Sequence, residues 1–115
     1  MYRFSYAEVL DDTPQSARER DRIAIQHSIE LLKIAESKGP GAREATEAIY
    51  FLRKLWAFFI EDLAKADNEL PPNLRADLIS IGLWLMREAD EIRLGKSTNF
   101  KGLIEVSQLI SEGLA

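Results

Sequence analysis

The chain has 115 residues, 46% of them apolar and 30% charged, with a net charge of −4 and no cysteine. That balance excludes a disordered polymer, a disulfide framework and thiol chemistry. It predicts one domain over residues 1–115, with one core, in a reducing compartment such as the cytoplasm. The acidic balance also speaks against direct nucleic-acid binding, which needs clustered cations. Here the cations alternate with acids, as in Arg18-Glu19-Arg20-Asp21-Arg22, the pattern of a solvated helix face.

The N-terminal residues lack the apolar run of a signal peptide. Tyr2, Phe4 and Tyr6 instead recur at period two, which suits an extended segment laid against a core. Ser5 and Glu8 have capping-box spacing, so a short helix over 6–10 is the other reading. The first long helix is expected from Thr13 as N-cap, with Pro14 at its first position, to Lys38, stopping at Gly39-Pro40-Gly41. Its central stripe is Ala17, Ala24, Ser28, Leu31 and Ala35, flanked by Ile25, Leu32 and Ile34. Residues this small let a neighbouring helix approach closely.

A second helix is expected over 42–66, burying Ala45, Ala48, Ile49, Leu52, Leu55, Trp56, Phe59 and Leu63. Its most apolar stretch, 48–60, is interrupted by Arg53 and Lys54 and is too short to insert in a membrane, which takes about 20 apolar residues. Leu70-Pro71-Pro72-Asn73 breaks the chain. A third helix follows from near Asn73 to just before Gly95, with Leu74, Leu78, Ile81, Leu85 and Ile92 on its main face. A fourth, over 100–112, buries Leu103, Val106, Ile110 and Leu114. Three long helices and one shorter C-terminal helix predict an all-α antiparallel bundle, with a short N-terminal segment or helix packed on it.

Every route to catalysis that a sequence displays is missing. His27 is the only histidine, and Glu30 alone stands at a helical ligand spacing from it, so neither a metal nor a catalytic role is expected. The carboxylate pairs flank helix ends, no serine lies in a nucleophile elbow, and no glycine-rich loop follows a strand. The chain is therefore expected to need no cofactor and to work by binding another protein.

It also carries more apolar surface than a bundle helix needs. On the third helix Ile79, Leu83 and Met86 form a second stripe roughly 140° from the main one. Trp84 widens the apolar arc on the other side. On the second helix Phe51 and Phe58 make an aromatic flank. Two readings remain open. Either these helices are central and fully covered, or Phe51, Phe58, Ile79, Leu83, Trp84 and Met86 line a groove for an amphipathic partner helix. Homo-oligomerisation through the same patch competes with a foreign partner. Gly82 interrupts the third helix, where glycine costs about 1 kcal/mol against alanine; close contact with another helix is the simplest reason for it.

Several stretches resemble the FlaF family of bacterial flagellar biosynthesis regulators. They are Tyr6-Ala7-Glu8-Val9, Leu55-Trp56, Ile60-Glu61-Asp62-Leu63 and Asn99-Phe100-Lys101-Gly102-Leu103-Ile104-Glu105. The most specific is Leu74-Arg75-Ala76-Asp77-Leu78-Ile79-Ser80-Ile81-Gly82-Leu83-Trp84 with Arg87-Glu88. The resemblance implies a cytoplasmic regulator of flagellin production and export. It implies that flagellin is a partner, and that the protein acts opposite FlbT, a translational repressor, contacted directly or through flagellin. It supplies no catalytic residues.

Overall fold

The computed structural model describes residues 14–114, with side chains from Ala17 onward. The N-terminal capping box, the Tyr2/Phe4/Tyr6 segment, the short helix over 6–10 and the Thr13 cap lie outside the described residues. Within them the protein is all-α, with four helices and no strand. They are α1 (Pro14–Lys38), α2 (Arg43–Ala64), α3 (Pro72–Arg93) and α4 (Phe100–Gly113).

The helix ends follow from local chemistry. Gly39 adopts φ +102, and its N–H bonds the Ala35 carbonyl at 2.8 Å, closing α1. α2 stops two residues short of the expected end because Lys65 is already extended. Arg75 then reaches back from α3, its Nε donating to the Leu63 carbonyl at 3.0 Å, one of the acceptors a helix C-terminus leaves open. α3 begins one residue earlier than expected, with Pro72 at a position where its missing N–H costs nothing. Gly95, at φ +80, ends it, and the Lys96 N–H returns to the Glu91 carbonyl at 2.8 Å.

α2 packs against both α1 and α3, and α4 packs against α1. Arg53 pairs with Asp90 while Trp56 meets Gly82 and Leu63 meets Arg75, so α2 and α3 run antiparallel. The core gathers Ile25, Ile29 and Leu32 of α1, Leu52 and Trp56 of α2, Leu85 and Ile92 of α3, and Phe100 and Leu103 of α4. On α1 the buried line runs through Ile25, Ser28, Ile29, Leu32 and Ala35. Ala17, Ala24 and Leu31 stand at its edges, and Ile34 points outward. α4 turns Phe100, Leu103, Ile104, Ser107 and Ser111 inward, with Val106, Ile110 and Leu114 half-buried beside them. The small serines on α4 and Ser28 on α1 suit a close α1–α4 approach, and Gln26 Nε2 donates to Ser111 Oγ at 2.6 Å across it.

Gly82 has the reason its position suggested. A Cβ there would lie 2.6 Å from Cε3 of Trp56 and 3.2 Å from Cδ1 of Ile60. The bare backbone of α3 is the seat of the Trp56 indole, which is 2% exposed.

Candidate functional site

The α3–α4 turn is tightly tied. Asn99 caps α4, its Oδ1 accepting from the Gly102 N–H at 3.0 Å, while its Nδ2 donates to Glu88 Oε2 at 3.2 Å. Ser97 Oγ donates to the same Glu88 oxygen at 3.1 Å. Beyond this turn α3 and α4 make little contact. α4 packs along α1 instead, so past the turn it stands away from α3.

Between α3 and the C-terminal part of α4 the described residues form an apolar cleft of about 460 Å³ to which all four helices contribute. Trp56, Phe59 and Leu63 form its α2 wall, and Leu74, Leu78 and Ile81 its α3 wall. Leu109, Ile110 and Leu114 of α4 face them, and Leu70 closes the rim from the α2–α3 connection. Leu109 is 68% exposed, Leu74 43% and Leu70 38%, an unusual concentration of large apolar side chains in contact with water. Leu74 was expected on the main face of α3 and stands instead at the lip, because α4 packs on α1 and leaves a gap opposite α3.

The polar groups of the cleft are few. Arg18 and Asp21 come from the first turns of α1, and Asp62 and Asn68 from the end of α2 and its connection. Burial pushes the Asp21 carboxyl above the usual carboxylate range; the Asp62 charge pushes it the same way and Arg20 opposes them. Asn68 Nδ2 donates to the Asp62 carbonyl at 3.2 Å and to its carboxylate at 3.3 Å. Among the described residues no three His, Asp or Glu side chains are grouped to hold a metal ion. Such a site can bind an apolar or amphipathic segment.

None of the six side chains expected to bind a partner lines this cleft. Phe51 lies on the α1 side of α2, edge-on to His27 with ring centroids 4.9 Å apart. Phe58, two turns along the same flank, is 61% exposed. Met86 lies between α2 and α3, in a slightly smaller depression of about 410 Å³ with Tyr50, Arg53 and Ala57. Ile79 is half-buried on the same side of α3, and Leu83 beyond it is 48% exposed. Trp84 packs against the core from the other side of α3. The structure therefore splits the expected groove into two separate faces, because α2 itself stands between its aromatic flank and α3. The cleft escaped the sequence reading because its α3 wall was counted as core. Which neighbour α4 packs on is not written in its own periodicity, so no signal in the sequence marked the cleft.

The family model for flagellar protein FlaF matches residues 2–114. The chain belongs to the FlaF family. The residues that carried the resemblance now have physical roles in this FlaF-family fold. Gly82 and Trp56 interlock, Arg75 closes α2, and Asn99 with Gly102 starts α4; a Cβ on residue 102 would lie 2.5 Å from the Asn99 amide. No curated protein and no solved structure matches the chain. No helix among its described residues is long and apolar enough to cross a membrane.

Proposed function

We propose that this FlaF-family protein is a cytoplasmic, non-enzymatic adaptor that binds flagellin in chaperone-like fashion, with a terminal amphipathic helix of flagellin lying in the end cleft. The observation that carries the reading is the cleft itself, apolar along its α2, α3 and α4 walls and rimmed by exposed leucines. A partner helix would anchor there with side chains at i, i+3 or i+4 and i+7. Holding flagellin soluble in this way promotes its synthesis and export, and opposition to the repressor FlbT acts through that complex. Control of flagellin mRNA then proceeds through protein contacts, in keeping with the acidic balance of the chain.

Calorimetric titration with full-length and end-truncated flagellin tests this. Flagellin is expected to bind, and removal of the helical end that binds is expected to abolish the heat. Leu74→Glu and Leu109→Glu alter exposed rim positions, so the domain stays folded. Each is expected to weaken binding at least tenfold, or about 1.4 kcal/mol. The outer face of Leu83, Met86 and Ile79 is the second candidate surface, favoured by the exposure of Leu83. If Leu83→Glu weakens binding while the rim changes leave it intact, the partner lies on that face. Self-association without flagellin binding would support a homo-oligomeric scaffold instead.

A further inference from the structure

The depression between α2 and α3 differs from the cleft in charge. The cleft edge carries Asp21 and Asp62 against Arg18. The depression is lined by Arg53, Lys54 and Arg93 and by no carboxylate. Such a gathering of cations is out of proportion in a chain of net charge −4. Asp90 pairs with Arg53 at 3.5 Å and with Arg93 at 2.7 Å, so one carboxylate serves two guanidinium groups. Among the described residues Lys54 has no carboxylate within ion-pair distance. Its Nζ stands over the Tyr50 ring instead, 5.5 Å from the centroid. Between the cations the floor is apolar, formed by Ile49, Ala57 and Met86. Leu83, 48% exposed, and Ile79 continue that apolar line along α3. From Ile79 to Arg93 the line runs about 21 Å at about 1.5 Å per residue, the length of a partner helix of about four turns.

We propose that this α2–α3 face is a second docking surface, for an acidic amphipathic helix of a protein partner. Complementary charge chooses the occupant. Carboxylates on the partner supply the counter-charges that Lys54 lacks and that Arg53 and Arg93 share, and its apolar side chains cover Met86 and Leu83. A nucleic-acid backbone would use the cations and leave the apolar line between them wet, so a protein helix fits both features and a phosphate backbone only one. The main stripe of α3 faces the cleft, and Ile79, Leu83 and Met86 lie roughly 140° round the helix from it. Both surfaces can therefore be occupied at once. The proposal does not rest on the flagellin reading of the cleft.

Two synthetic peptides of about 18 residues, long enough to hold a helix in water, test it on the full chain. Both carry leucines at i, i+3 and i+7; one has glutamates on its remaining face and the other lysines. Amide chemical shifts of the ¹⁵N-labelled protein are followed during titration. The glutamate peptide is expected to move the amides of Tyr50, Lys54, Leu83 and Met86 saturably, and to bind at least tenfold more tightly than the lysine peptide. That preference is expected to fade between about 0.1 M and about 1 M salt, as the Debye length falls from about 10 Å to about 3 Å. Lys54→Glu changes an exposed side chain without an ion pair, so the fold stays intact. It is expected to weaken the glutamate peptide roughly threefold or more, the scale of an exposed charge pair. The absence of saturable shifts on this face, equal binding of the two peptides, or shifts confined to Leu74 and Leu109 at the cleft overturns the proposal. So does an oligouridylate RNA that moves the same amides and binds more tightly than the glutamate peptide, which assigns the cations to phosphates. Flagellin is then added to the peptide-saturated protein and is expected to leave the peptide in place. If flagellin binds nowhere, the flagellin reading fails and the α2–α3 result stands. If flagellin expels the peptide, the face belongs to flagellin and a second partner is excluded.

Discussion

The two ends of this bundle are built from the same helices with opposite results. At the end bounded by the α3–α4 turn, Leu85, Ala89 and Ile92 meet Phe100 and Leu103, all buried, and Glu88 ties Ser97 to Asn99 across the turn. At the other end Leu74, Leu78 and Ile81 face Leu109 and Leu114 across a gap. The composition of the two walls is alike. What differs is whether α4 lies against α3 or stands away from it on α1. Apolar periodicity identifies a face that can be buried, and the packing of its neighbours decides whether it becomes core or cleft.

Truncation should separate the ends most sharply. Leu85→Ala at the closed end removes a fully buried side chain from a filled core and is expected to cost about 2–5 kcal/mol in urea denaturation. Leu74→Ala at the open end is expected to cost about 1 kcal/mol, the share of a leucine that the cleft wall buries. Equal losses at the two positions would mean that the open end is as fully packed as the closed one.

The helices themselves were legible, to within two residues at each described end, because proline, glycine and asparagine mark their limits and each helix has a continuous apolar stripe. The face of α2 was read correctly down to Leu63. Gly82 was legible as a close approach, though not as the seat of Trp56. The groove was not legible, because a helical wheel ranks side chains around one axis and says nothing about which neighbour stands on each side. Phe51 and Met86 look adjacent in an inventory of surplus apolar residues. In space Phe51 faces His27 and Met86 faces Tyr50.

Gly82 lies between the two ends, and its replacement tests how rigidly they are joined. Alanine would gain about 1 kcal/mol of helix propensity but force overpacking worth about 1–3 kcal/mol. Trp56 decides the sign. It is buried, with the Phe59 ring edge-on at 5.2 Å, so a new Cβ would force it out of its seat toward the cleft it walls. Gly82→Ala is therefore expected to destabilise the fold by about 1 kcal/mol and to shift the tryptophan fluorescence. A more stable variant would show that the indole moves freely between core and cleft.

The smallest effect expected is electrostatic, and its sign reverses between the ends. Near the closed end Asp90 is held below the usual carboxylate range, chiefly by its hydrogen bond from Arg93 at 2.7 Å, with the Arg93, Arg53 and Lys96 charges assisting. A depressed native pKa stabilises the fold above the unfolded value of about 3.9, and that contribution is lost as pH falls through the native pKa. Asp90→Asn should therefore lower the melting temperature slightly at neutral pH and match the unaltered protein in strong acid. At the cleft Asp21 is raised by burial first and by Asp62 second. A raised native pKa means that the folded state holds the proton more tightly, so stability falls as pH rises from about 3.9 through the native value. Asp21→Asn removes a charge that the cleft edge holds at a cost, so it should raise the melting temperature at neutral pH, with the gain disappearing in acid. Asp21 is only half-buried and Asp90 is solvent-screened, so both shifts will be small. The opposite directions of the two pH profiles are the observable. If both variants shift the same way at neutral pH, the electrostatic contrast between the two ends is absent.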